Sequence, residues 1–169
     1  MRVLVLLPAA VAAMLWFSIP ARAASLGEAV NTDYPYLQAL FEHLHANPEL
    51  SMQETQTSDR LAKELQQLGF SVTRNIGKTG LVGVLRNGEG PVLMIRADMD
   101  ALPVQEKTGL DFASSRRQVN LEGVDMPVMH ACGLDMVTTL VGVARRMVEL
   151  KDEWSGTLML VGQPAEEPL

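Results

Sequence analysis

Cysteine is nearly missing from this chain. Cys132 is the single one among 169 residues, so no disulfide can close within the chain. The residue is therefore a buried packing element, a free thiol, an intermolecular bridge or a metal ligand. Histidine is scarce too, with only His43, His45 and His130. Positive charge is in deficit: 14 Lys and Arg stand against 20 Asp and Glu, a formal net charge of −6. That balance argues against nucleic acid and against anionic membrane surfaces as partners. No internal repeat and no low-complexity tract is visible, and the length fits one domain or part of a larger one. Beyond the N-terminal stretch no apolar run is long enough to cross a bilayer, which points to a soluble product.

The one long apolar run lies at the front. Arg2 and the amino terminus give a positive start, and Val3 to Phe17 follow almost without a polar residue. Those fifteen residues fall short of the roughly 20 that a membrane span needs. Ser18-Ile19-Pro20 then breaks the helix, and Ala21-Arg22-Ala23 fits a small-x-small cleavage site. Residues 1–23 read as a signal peptide cut between Ala23 and Ala24, leaving residues 24–169 as a secreted or periplasmic chain with no stable membrane anchor. Loss of Arg2 and Arg22 leaves 12 basic residues against 20 acidic ones, a net charge of −8. Export to an oxidising compartment ordinarily favours paired cysteines, which a single Cys132 cannot provide.

In the mature part, Asp33 is placed to cap a helix through about His45, with Pro35 in its first turn. Leu37, Leu40, Phe41 and Leu44 share one face, and Asn47-Pro48 ends the helix. His43 and His45 then default to surface or helix-end positions. A second helix from about Glu54 to Leu68 carries Leu61, Leu65 and Leu68 and stops at Gly69. The period then changes. Phe70 to Arg74 alternates like a strand, Leu81 to Leu85 follows, and Asn87-Gly88 signals a tight turn before Pro91 to Ile95. Leu158 to Val161 is likewise a continuous apolar run, the mark of strands covered on both faces. A helix from about Asp135 to Leu150 shows the stripe Val137, Leu140, Val141, Ala144, Met147 and Val148. Helix, helix, hairpin, strand, helix and strand make an α/β layout with a sheet between helices. Residues 101–128 have little periodicity, and a loop that long is usually functional or poorly ordered.

Three clusters that can do chemistry fall at strand or loop ends: Asp98 and Asp100, then Cys132 and Asp135, then Glu166 and Glu167. In α/β sheets sites collect outside the carboxyl ends of strands, so the three are placed to converge. Any one of them alone would read as ordinary solvated loop residues. A thiolate at Cys132 is a credible zinc ligand. Two adjacent glutamates allow one carboxylate to bind a metal while its neighbour acts as general base. The rival is nucleophilic catalysis by Cys132 with His130, although such pairs usually come from distant segments.

Several ordered motifs carry a resemblance. They are His45-Ala46-Asn47-Pro48-Glu49-Leu50-Ser51, Arg96-Ala97-Asp98-Met99-Asp100-Ala101-Leu102-Pro103, and Glu106-Lys107-Thr108-Gly109-Leu110 with Phe112-Ala113-Ser114. His130-Ala131-Cys132-Gly133, Asp135 with Thr138-Thr139, and Gln163-Pro164-Ala165-Glu166-Glu167 complete the set. Together, over about residues 33–167, they resemble the amidohydrolase branch of the di-metal aminoacylase and carboxypeptidase family. That branch includes hippurate hydrolases, N-acyl-amino-acid amidohydrolases and auxin-conjugate hydrolases. The resemblance implies a three-layer α/β/α zinc-exopeptidase-like catalytic domain. It also implies two divalent metal ions (zinc, manganese or cobalt) that activate water against the amide of an N-acyl amino acid or small peptide. By position, Cys132 and Glu167 match metal ligands, Glu166 the general base, and Asp98 the aspartate that supports the site from behind the ligands.

The departures are as informative. The family strip reads His-Ala-Cys-Gly-His-Asp-x-His, and here the two later histidines are Leu134 and Val137. The first of them is a ligand in the family, and leucine has no donor atom. The later histidine ligands and the inserted lid or dimerisation domain have no counterpart in this sequence, so the domain is expected to be incomplete. At most one ion would be weakly held, and the chain alone is expected to be inactive, with uncovered strand edges open to self-association. A non-catalytic remnant, either a binding module or a fragment of a disrupted gene, is the alternative.

Overall fold

The computed structural model describes residues 25–167; the expected leader and its cleavage site lie outside them. Helix α1 runs Leu26–Ala46 and begins seven residues before Asp33. Its true cap is Ser25: the Ser25 hydroxyl accepts the Glu28 N–H, and the Glu28 carboxylate accepts the Ser25 N–H at 2.7 Å. Asp33 is instead buried mid-helix, where Arg145 and Arg146 donate to its two oxygens at 2.7 and 2.5 Å. Helix α2, Thr55–Gln67, is capped from outside. The buried Glu49 carboxylate accepts the N–H groups of Gln56 and Thr57 at 3.0 and 2.8 Å, satisfying donors that a helix start leaves free. Gly69, at φ 85°, turns the chain out of the helix in the left-handed conformation that glycine tolerates.

Six strands follow: β1 Ser71–Ile76, β2 Gly80–Asn87, β3 Val92–Asp98, β4 Arg117–Val119, β5 Asp125–Pro127 and β6 Gly156–Gln163. Helix α3, Leu134–Glu149, leads into β6 through a short 3-10 turn, Lys151–Glu153. The main sheet has the order β1-β2-β6-β3, with β1, β2 and β6 antiparallel and β3 parallel to β6. The Asn87-Gly88 turn thus joins two strands that are not neighbours, because β6 inserts between them. Strand alternation decides what the sheet buries. Leu81, Gly83 and Leu85 of β2 and Leu158, Leu160 and Gly162 of β6 face a core shared with Leu61 and Leu65 of α2 and Val137, Leu140 and Ala144 of α3. Two glycines there have a packing reason. A Cβ on Gly83 would sit 2.8 Å from Leu65, and one on Gly162 would sit 2.9 Å from Leu61.

The expected α/β sheet with helices is therefore present. Cover is confined to one face among the described residues. On the other face Val82, Val84, Met159 and Val161 are half-buried, and edge strand β3 leaves Val92, Leu93 and Met94 54–64% exposed. The loop read as irregular is partly built: β4 and β5 form a two-stranded ribbon, and Leu50, Ala101 and Val128 make a small separate core. Among the described residues no helix is long and apolar enough to cross a membrane.

Candidate metal centre

Parallel strands end on the same side, so β3 and β6 deliver Asp98 and Gln163 together. The ladder continues one step further, with the Met99 N–H on the Gln163 carbonyl at 3.0 Å. Two other segments are laced in. The Ala101 N–H reaches the Glu49 carbonyl at 2.8 Å, and Leu102 and Met129 exchange backbone bonds at 3.0 Å each way. Segments 49–54, 98–102, 129–133 and 163–167 thereby meet at one end of the sheet, as the three clusters were expected to do.

Beyond β6 the chain turns sharply at Ala165, φ 48°. Three successive N–H groups there are taken by two buried carboxylates. Ala165 donates to Glu54 Oε1 at 2.8 Å, Glu166 to Asp100 Oδ1 at 3.1 Å, and Glu167 to Asp100 Oδ2 at 3.0 Å. Glu54 is 0% and Asp100 1% exposed. Glu54 also accepts the Met52 N–H at 2.9 Å and the Thr79 hydroxyl. The Ser51 hydroxyl lies between Asp100 Oδ2 and the Glu167 carbonyl, 2.8 Å from the latter, and donates to one of them. With its backbone so held, the turn leaves the Glu166 side chain exposed and Glu167 half-buried.

Cys132 is exposed, and its thiol is held above the usual cysteine range, first by a hydrogen bond and charge from Glu167, then by burial and the charges of Glu166 and Asp98. Asp98 pairs with Arg96, yet its carboxyl is raised, chiefly by desolvation, while Arg96 opposes and Asp100 and Glu167 reinforce the rise. These shifts locate Cys132, Asp98, Glu166 and Glu167 in a common negative field. Gly133 makes the approach feasible. It stands at φ 81° as the N-cap of α3, and a Cβ on it would come 3.0 Å from the Asp98 Cβ.

The histidines go elsewhere. His43 is exposed, but His45, in the last turn of α1 as read, is buried and pairs with the buried Glu106 at 3.0 Å, which corrects its reading as a surface residue. Phe112 packs edge-on against the His45 ring, an arrangement that amphipathic spacing along α1 does not encode. His130 is 4% exposed with neither ring nitrogen hydrogen-bonded, while Cys132 is exposed. No hydrogen bond joins them among the described residues, so the nucleophile–base pair is not assembled.

A thiol and a carboxylate side by side in a negative field are a donor set suited to one divalent cation, whose charge would relieve the repulsion and favour the thiolate. Among the described residues no group of three or more His, Cys, Asp or Glu is arranged to hold a metal. Among the described residues Cys132 and Glu167 are the two donors that such an ion would find here. Sequence reading placed Asp100 in a cluster without giving it a task, and it overlooked Glu54 and Ser51 as site residues. The one available signal was their position, two residues after Asp98 and just after the Pro-Glu-Leu motif.

Comparison with known proteins agrees with this geometry. Residues 94–168 match the model for peptidase family M20/M25/M40. The chain is 41% identical over 138 residues to the hippurate hydrolase of Campylobacter jejuni, covering 79% of this chain and 33% of that protein. It is 40% identical over 127 residues to the N-acetyl-L-cysteine deacetylase of Bacillus subtilis, covering 74% and 28%. A crystal structure of a Bacillus subtilis protein, described as a dinuclear metal-binding peptidase of the M20 family, superposes with a TM-score of 0.70 at 34% identity, covering 80% of this chain and 36% of that one. The chain thus spans about a third of the length of the curated relatives it matches. Motif order, sheet topology and the meeting of segments 129–133 and 163–167 lead to one assignment: over residues 94–168 the chain matches peptidase family M20/M25/M40, and it is similar to part of that family's members.

Proposed function

We propose that this chain carries part of the active centre of a metal-dependent hydrolase acting on amide bonds of N-acyl amino acids or small peptides. The observation that carries the reading is the Cys132 thiol against Glu167, with Glu166 beside it on a backbone-anchored turn. A divalent cation bound there (zinc, manganese or cobalt) supplies Lewis-acid polarisation and an acidified water. Cys132 and Glu167 are its holders. The exposed Glu166 carboxylate, which no hydrogen bond restrains among the described residues, takes the proton from the attacking water and returns it to the leaving amine. Asp98, at the end of β3, supports this end of the site behind Gly133. The names of two relatives, hippurate hydrolase and N-acetyl-L-cysteine deacetylase, support the substrate class.

By itself the chain holds at most one cation, weakly, and does not turn over. Two donors are gathered among the described residues, and Leu134 brings none at a position where the resemblance implies histidine. The test is cobalt loading of the purified chain. One Co2+ with thiolate-to-metal absorption, lost in Cys132→Ser, is expected, with no hydrolysis of N-acetyl amino acids. Absence of any thiolate-bound metal overturns the metal reading. Metal-dependent turnover that Glu166→Gln abolishes overturns the claim of inactivity. We further propose, on the Val3–Phe17 apolar run and the Ala21-Arg22-Ala23 pattern, that the chain lies outside the cytoplasm after cleavage between Ala23 and Ala24; intact mass of the secreted fraction tests it, and a retained full-length species overturns it.

A further inference from the structure

We propose that Glu54 and Asp100, with Ser51, are positioning residues: a buried carboxylate clamp that sets where Glu166 and Glu167 point. The inference rests on the functional reading above. A turn leaving an edge-proximal strand ordinarily directs its N–H groups to water or to other backbone. Here residues 165, 166 and 167 each donate to a carboxylate oxygen at 2.8–3.1 Å. Neither carboxylate belongs to the turn. Glu54 is the N-cap residue of α2, and Asp100 lies just past β3, so the turn is tied at once to the helical layer and to the neighbouring strand. Hydrogen bonds to charged acceptors are the strong class, and buried ones admit little angular freedom.

The clamp also fixes an unusual conformation. Ala165 adopts φ 48°, a region that L-residues enter at a cost, and its N–H is the one bound by Glu54. Release of that N–H would let the backbone relax and carry both glutamate side chains off their line to Cys132. Asp100 uses both oxygens at once, so an asparagine there offers a single acceptor and sets an NH2 against an N–H donor. Glu49 is an internal control. It is a second buried carboxylate on the same segment, but its bonds go to Thr55, Gln56 and Thr57 at the start of α2 and none to the turn.

The test uses the full chain and two readouts. Hydrogen exchange of the C-terminal peptide, followed by mass spectrometry, reports the clamp without any metal. Asp100→Asn and Glu54→Gln should speed exchange at residues 165–167 by roughly tenfold or more, and Glu49→Gln should not. Cobalt titration reports positioning. Asp100→Asn and Glu54→Gln should weaken Co2+ binding by about 10–100-fold and diminish the thiolate absorption. Glu49→Gln should lower the thermal midpoint while leaving both cobalt readouts unchanged. Ser51→Ala, a milder change, should shift exchange and cobalt in the same direction should Asp100→Asn fail to fold. Unchanged exchange in the clamp variants overturns the clamp. Unchanged cobalt affinity, or equal weakening by Glu49→Gln, overturns the positioning role. A parent chain that binds no cobalt overturns the metal reading and the positioning role with it, while exchange still decides whether the clamp holds the turn.

Discussion

His130 should make this fold acid-labile in a window where carboxylates contribute little. Its imidazole is held down at about 4, against an ordinary 6.5, first by burial and then by the nearby His45, with Asp100 opposing. An unfolded chain takes up a proton at this residue near pH 6.5, whereas the native state refuses it until about pH 4. The folded value is depressed, so the native state's advantage is complete above the unfolded value and falls as pH drops towards the folded one. From pH 7.5 to pH 5 that linkage removes about 2 kcal/mol, and about 3 kcal/mol is gone below pH 4. Asp33, held low by Arg145, and Glu106, where burial raises the carboxyl but hydrogen bonds from Thr108 and His45 together outweigh it, lose their contributions only at lower pH. Urea midpoints measured at pH 7.5 and pH 5 should differ by about 1 M for the parent chain. In His130→Leu the difference should largely vanish, whatever the variant's own stability. A parent midpoint that does not move, or a leucine variant that loses as much as the parent, refutes the reasoning.

Three further outcomes follow from the packing. Asp33→Asn strands two arginines that meet at a nearly buried carboxylate between α1 and α3, and should cost about 2–3 kcal/mol in chemical denaturation. Gly133→Ala meets both a left-handed backbone and the Asp98 Cβ, and should lower stability by about 1–2 kcal/mol and weaken cobalt binding; an unaltered melting curve counts against the close approach. Leu93→Lys on the exposed edge strand should reduce self-association of the chain in sedimentation without altering its helical circular dichroism.

Much of the fold was legible because it is local. The leucine spacing of α2, Gly69 as its stop and the apolar stripe of α3 place those elements within a residue or two of where they lie. What failed needed partners. Asp33 looks like a helix cap until Arg145 and Arg146 arrive from 112 and 113 residues away. Continuous apolar runs suggested cover on both faces of the sheet, yet composition cannot say which segment supplies the cover, and β3 stands at an edge. At the candidate site, the chemically distinctive side chains Cys132, Glu166 and Glu167 could be named from motif order. Asp100 could be grouped with Asp98, but its task and that of Glu54 could not be read, since nothing in their own neighbourhood distinguishes a carboxylate that will bind backbone from one that will face water.

The turn after β6 has a consequence for charge selectivity. Backbone N–H groups at a turn are the usual means by which a protein receives a carboxylate or stabilises an oxyanion. At residues 165–167 that capacity is already spent inward on Glu54 and Asp100. The outward side of the same turn shows Glu166 and Glu167, with Asp98 nearby. This end of the sheet therefore repels anions. An anion brought to this end would meet carboxylates and no free amide of residues 165–167, so a bound cation would have to offset its charge.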